Sequence, residues 1–222
     1  MIDLRPDAAT RRARRRLLLL VAIFSLPVLI AYALYFSGWR PETGGNYGEL
    51  VQPPRALPDA ALQTLDGEAL RVSELRGKWT LFMFGAAECL DSRDGGGRTT
   101  PGSVAGTPCA ATLDKMHRII LAQGKEAARV RAAFVVTDLR ARDWLQYAIK
   151  DYPGTLVLTG SADTMRMLAS YFTLSQGAPL NDPNRIYVVD PLGNLMMSYP
   201  AEADANRMRK DLARLLRVSQ VG

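Results

Sequence analysis

The sequence predicts an α/β domain, a sheet flanked by helices, carried on a single N-terminal transmembrane helix. Three observations predict it. Leu17–Phe36 is a run of 20 residues without a charge. From about residue 79 onwards, short apolar runs of strand length alternate with helix-period patterns, the signature of a sheet covered by helices. The last two of those runs flank Asp190-Pro191-Leu192-Gly193-Asn194, a turn-forming segment that predicts an antiparallel hairpin.

The apolar run reads LLLLVAIFSLPVLIAYALYF. As a helix it rises about 30 Å, the thickness of a bilayer hydrocarbon core. Pro27 is tolerated inside a membrane span. Tyr32, Tyr35 and Trp39 mark the far end as an interfacial belt does. Residues 1–16 hold six Arg against Asp3 and Asp7, and a basic segment of this kind stays cytoplasmic. The expected topology is single-pass in a bacterial inner membrane, N-terminus cytoplasmic and folded domain periplasmic. A cleaved signal peptide with Ala31-Tyr32-Ala33 as its processing site is the competing reading, but the apolar run continues past that site.

Residues 37–58 contain Pro41, Gly44, Gly45, Gly48, Pro53, Pro54 and Pro58, and read as an extended tether. The expected organisation is a basic segment 1–16, an anchor 17–36, a tether 37–58 and a folded domain 59–222. Within the domain, strands are expected at 79–84, 132–137, 155–158, 186–189 and 195–199. Helices are expected at about 108–123, 141–150, 162–172 and 203–217. The first helix is well signposted: Thr107 can cap it, Pro108 suits its first position, and Gly124 stands just past its end. Leu113, Met116, His117 and Ile120 follow at helical spacing and predict its core-facing stripe.

Composition excludes several function classes. The net charge of +6 is mostly in the first 16 residues; the remaining 22 basic residues stand against 20 acidic ones. That balance leaves no basic footprint for nucleic acid. One histidine and two cysteines exclude a His-rich metal site, a four-cysteine zinc ribbon and a multi-disulfide scaffold. No nucleotide-binding glycine fingerprint, HExxH or GxSxG occurs. Met165, Met167, Met196 and Met197 fit packing on a helix and a strand better than a copper site.

The chemistry-bearing residues are Cys89 and Cys109. Cys109 falls in the first turn of the expected helix, where unpaired amides and the helix dipole favour a thiolate. Cys89 follows the first strand by a few residues. The residues alone leave three readings open: two independent small side chains, a structural disulfide, or a reactive pair.

Phe84-Gly85-Ala86-Ala87-Glu88-Cys89 and Pro108-Cys109-Ala110-Ala111-Thr112-Leu113 resemble the two halves of the Sco/SenC motif F-G-x-T-x-C-x-x-x-C-P-x-x-L, with Pro108 before the cysteine rather than after it. Gly67 and Val72–Trp79 resemble that family's opening hairpin and lead-in to the first strand. Ala133–Asp138 resembles its second strand. Thr155–Gly160 with Ala162–Phe172 resembles its strand-and-helix block. Tyr187-Val188-Val189-Asp190-Pro191-Leu192-Gly193 resembles its late hairpin. The resemblance covers most of the chain. It implies a membrane-anchored thioredoxin-like fold and an accessory role in assembling the CuA centre of cytochrome c oxidase, by Cu(I) binding or by thiol–disulfide exchange. Copper is the implied ligand, with Cys89 and Cys109 as its sulfur donors. The implied partners are an oxidase subunit or another assembly factor.

The chain departs from that pattern in two further ways. Nineteen residues separate the cysteines, against three in the family; residues 91–108 form a Gly-rich insertion. Lengthening the closed loop from 4 to 20 positions costs about 1.4 kcal/mol of closure entropy, roughly tenfold in effective concentration. The family's copper histidine corresponds to Asp182, and a carboxylate is a poor ligand for soft Cu(I). His117 lies eight residues beyond Cys109 on one helix, about 12 Å along its axis, out of reach of a metal at Cys109. Two readings therefore stand. In one, Cys109 is the nucleophile of an exchanging thiol pair and Cys89 resolves it, making the chain a thiol–disulfide oxidoreductase or a chaperone-type copper protein. In the other, the domain is a non-catalytic scaffold that binds an assembly partner, and any disulfide is purely structural.

Overall fold

A computed structural model of the chain describes residues 8–37, 46–90, 107–138, 142–174 and 185–219. It divides into two units, Met1–Gly45 and Asn46–Gly222. The described residues of the first unit form the helix α1 (Ala8–Phe36), with Pro27 inside it. Its Arg14–Phe36 stretch is long and apolar enough to cross a membrane, which fits a single-pass anchor.

The second unit is built on eight strands: β1 (Glu49–Ala56), β2 (Ala61–Thr64), β3 (Ala69–Arg71), β4 (Trp79–Gly85), β5 (Val130–Val136), β6 (Thr155–Thr159), β7 (Ile186–Val189) and β8 (Asn194–Tyr199). Among the described residues four α-helices accompany them: α2 (Pro108–Leu121), α3 (Arg142–Ala148), α4 (Ala162–Tyr171) and α5 (Ala205–Val218). The strand order is β1-β8-β7-β4-β5-β6-β2-β3. The central strands β4, β5 and β6 are parallel, and β7 runs antiparallel against β4.

Why Leu81–Gly85 of β4 and Ala132–Val136 of β5 read as unbroken apolar runs is clear from their surroundings. Both faces of the sheet are covered, as parallel strands require. Leu81 and Met83 of β4, with Phe134 and Val136 of β5, pack on the face that carries α2, α3 and α5. Phe82, Phe84, Ala133 and Val135 pack on the other, against α4. There Phe82, Phe84, Phe172 and Tyr187 form an aromatic cluster with centroids 4.9 to 6.0 Å apart. Tilted and edge-on contacts of this kind stabilise beyond their buried area.

The five expected strands and four expected helices are present, with small shifts at their ends. The β7–β8 hairpin closes through Asp190, whose carboxylate accepts from the amides of Leu192 and Asn194 and from the Asn194 side chain. Gly193 there has φ +91°, a left-handed conformation that glycine adopts freely.

The segment expected as a tether differs. Residues 38–45 lie outside the described residues, while 46–56 join the folded unit through β1, which pairs antiparallel with β8. Pro53 and Pro54 fall where the β1–β8 register shifts, between Leu50 and Arg55. Proline is admitted at such an edge-strand irregularity because no ladder donor is needed there. Val51 and Leu57 bury apolar surface on either side. β1 is also pinned by charge: the Arg185 guanidinium, 6% exposed, donates to Glu49 at 2.6 Å and to Ser198 at 2.9 Å.

Candidate thiol site

β4 ends at Gly85, and a single 3-10 turn, Ala87–Leu90, follows it. Two backbone bonds tie this turn to the end of β5: Thr137 N–H donates to Gly85 O, and Ala87 N–H donates to Asp138 O. The turn therefore sits at the carboxyl ends of two parallel strands, where open α/β sheets place their ligand sites. Cys89 is in this turn, half-buried, its amide donating to Ala86 O.

Across from it starts α2. Thr107 caps the helix by accepting from the Ala110 amide at 3.1 Å, and Pro108 is the first helical residue. Cys109 follows in the first turn and is only 2% exposed. Leu113, Met116 and Ile119 continue the buried face of α2, while His117 and Ile120 are half-buried beside it. Ile119 thus joins the core stripe, Ile120 packs against the core at its edge, and His117 is half-buried outside it.

Cys89 and Cys109 are joined as a disulfide, with Cα atoms 5.6 Å apart across 20 positions. Both belong to the core face formed with Leu90, Leu113, Phe134 and Leu145. The fold itself holds the two flanks together, so the 19 intervening residues do not prevent pairing. Near the start of α2, Tyr152 reaches toward Ala110 O, and burial, with Asp114 and Asp151 adding to it, raises its phenol pKa.

On reduction, opposing effects act on Cys109. The helix N-terminus favours its thiolate and burial disfavours it. Reduced, the pair offers two soft sulfur donors, a set suited to Cu(I). Among the described residues no group of three or more His, Cys, Asp or Glu side chains is arranged to hold a metal. Asp182 and residues 91–106 lie outside the described residues.

Gly85, which the sequence marks only as the end of the first apolar strand, is a residue of the site. A Cβ there would lie 2.9 Å from Cys89 Sγ and 3.0 Å from Phe134. Its signal was a glycine closing an otherwise continuous apolar strand.

The profile of the family described as "Transmembrane-like, thioredoxin-like, C-terminal domain" matches residues 102–219, more than half of the chain. The chain belongs to this family. No curated protein matches it. Solved structures extend the likeness of this thioredoxin-like family member. Copper-bound ScoI of Arabidopsis thaliana superposes with a TM-score of 0.55 at 19% identity, covering 74% of this chain and 99% of that one. Copper-bound yeast Sco1 gives 0.57 at 17%, covering 75% and 95%. BsSco, a Sco-family cytochrome c oxidase assembly protein in which a disulfide switch was identified, gives 0.53 at 16%, covering 75% and 96%. At these identities the likeness establishes the fold: a thioredoxin-like sheet of Sco type, as the sequence resemblance implied.

Proposed function

We propose that this chain is a membrane-anchored accessory factor for cytochrome c oxidase that exchanges thiols and disulfides through Cys89 and Cys109. The observation that carries this reading is the disulfide itself. It joins a half-buried cysteine on the turn after β4 to a buried cysteine in the first turn of a capped helix. The copper-bound and disulfide-switching Sco proteins of like fold support the choice of pathway. The arginines that precede Leu17 support placing the domain on the periplasmic side of a bacterial inner membrane.

Burial favours roles opposite to those read from the sequence. Cys89, the more accessible sulfur, is the nucleophile; Cys109 resolves. The reduced chain attacks a partner disulfide with the Cys89 thiolate, forming a mixed disulfide and releasing one partner thiolate. The Cys109 thiolate then attacks Cys89 Sγ. The Cys89–Cys109 bond forms, the second partner sulfur leaves as thiolate, and two electrons have passed to the partner. The helix start favours the charge on Cys109 at the moment it attacks.

Copper enters this reading as cargo. The reduced pair would hold Cu(I) between two thiolates, and the disulfide would not. The chain lacks an imidazole at the position occupied by Asp182, so Cu(II) is the weaker fit.

The scaffold reading remains the second one, and the near-complete burial of Cys109 favours it. Replacing both cysteines by serine in the full chain separates them. Thiol exchange requires that CuA assembly fail in cells carrying the double variant. A scaffold would support assembly as well as the wild type does.

A further inference from the structure

We propose that the cationic face of α5 docks on an anionic lipid surface and so orients the folded unit on the membrane; this rests on α1 being a membrane span. α5 reads ANRMRKDLARLLRV. Met208, Asp211, Leu212 and Leu216 are buried. Arg207, Lys210, Arg214 and Arg217 recur at i, i+3, i+7 and i+10, one stripe of the helix, and all four are exposed. Asp211, the only acid of the helix, is 3% exposed and faces the core. The exposed stripe is therefore cationic without an anion of its own.

Helix stability accounts only for the last member of the stripe, Arg217, which sits in the last turn where a cation suits the helix dipole. The first turn of α5 has no acidic residue and carries Arg207, the wrong sign for the helix dipole. Among the described residues no carboxylate forms an ion pair with Lys210, Arg214 or Arg217. The groove beside the stripe adds Lys125, Arg129 and Arg209, against the single acid Glu126, which pairs with Arg129.

What selects a lipid surface over an acidic protein is where the chain enters the fold. The amides of Tyr47 and Gly48 donate to Asp211 at 2.6 and 3.0 Å. The Arg207 guanidinium lies 5.1 Å over the Tyr47 ring, and Arg214 donates to Asn46 at 3.4 Å. The strap that arrives from the anchor is thus fastened to α5 itself. Nine residues, 37–45, separate it from the end of α1, and nine residues span at most about 30 Å. Basic side chains are attracted to anionic headgroups within a Debye length of the surface, about 8 Å at physiological ionic strength. The proposal takes this face, beside the point where the chain from the anchor enters the fold, as the one that docks on that layer.

The test uses the full chain in nanodiscs, whose co-elution with lipid checks the anchor separately. One set is phosphatidylcholine alone and the other contains phosphatidylglycerol. Each is treated with an amine-acylating reagent, and modification of Lys210 is read by mass spectrometry against exposed Lys78. The expected result is protection of Lys210 by about fivefold or more in the anionic discs only, lost in high salt. The triple variant Arg207→Gln/Arg214→Gln/Arg217→Gln should lose the protection while keeping its disulfide; if it fails to fold, the salt comparison on the wild type decides. Equal labelling of Lys210 in both lipids overturns the proposal and would turn attention to an acidic protein partner.

Discussion

Gly85 has no room for a side chain because Cys89 occupies the space: a methyl group there would lie 2.9 Å from Cys89 Sγ. The end of β4 and the thiol site are therefore one packing unit. A residue two positions outside the cysteine turn decides where the sulfur can sit.

Gly85→Ala should weaken the disulfide form. Overpacking of this kind costs about 1–3 kcal/mol. To the extent that the reduced thiol can swing away, the reduction potential rises, by about 20–60 mV if the whole cost is specific to the oxidised form. Redox equilibration of wild type and variant against glutathione measures the shift. An unchanged potential would mean that Cys89 can move aside without cost.

The two sulfurs should differ in reactivity. Cys89, in a Cys109→Ser variant, should react with an aromatic disulfide reagent at least about tenfold faster than Cys109 in a Cys89→Ser variant, because Cys109 is buried and thiol access limits the rate. Stopped-flow absorbance reads both rates. A faster Cys109 would restore the assignment suggested by its helix-start position alone.

Much of this was legible beforehand. The apolar runs of β4 and β5 named the central strands, and Thr107-Pro108 marked the start of α2 to the residue. Two things were not. The prolines of residues 46–56 read as tether, because side-chain patterns do not reveal that a proline-containing segment can pair along an edge at a register shift. The burial of Cys109 was hidden too. Helix position predicts the electrostatics of a thiol, whereas its exposure depends on strands and helices distant in sequence, such as Phe134 and Leu145. Asp211 had a faint signal, as the one acid in a helix otherwise rich in Arg and Lys.

Removing the disulfide should weaken the domain without abolishing its fold. Closing a loop of about 20 residues stabilises by roughly 3 kcal/mol in the chain-entropy description. Denaturant unfolding with and without a reductant measures the difference. The sheet and its two covered faces remain, so a cooperative transition should persist in the reduced chain. A reduced chain without cooperative unfolding would contradict this.

Alkaline pH should probe the strap. Tyr199 donates to Asp211 at 3.1 Å. Burial first, then the Asp211 charge and that hydrogen bond, hold the Tyr199 phenol above its ordinary value near 10. The contribution is complete below pH 10, where folded and unfolded chains both keep the proton. It is lost as pH rises above 10, because only the unfolded chain releases the proton, at up to about 1.4 kcal/mol per pH unit. Tyr199→Phe should be less stable at neutral pH by about 1–2 kcal/mol, and its deficit should shrink as pH climbs from 10 to 11.5. Urea unfolding across that range reads it. A constant deficit would show that this phenol does not govern alkaline stability.

The central claim, that Cys89 and Cys109 exchange rather than merely brace the fold, is tested most directly by the reduction potential of the pair in the full-length chain. Equilibration against defined thiol buffers, with the fraction reduced read by mass-tagging of free thiols, gives it in one experiment. An exchanging pair should lie well above about −300 mV. A value below that would make the disulfide a permanent brace, leaving the domain as a partner-binding scaffold.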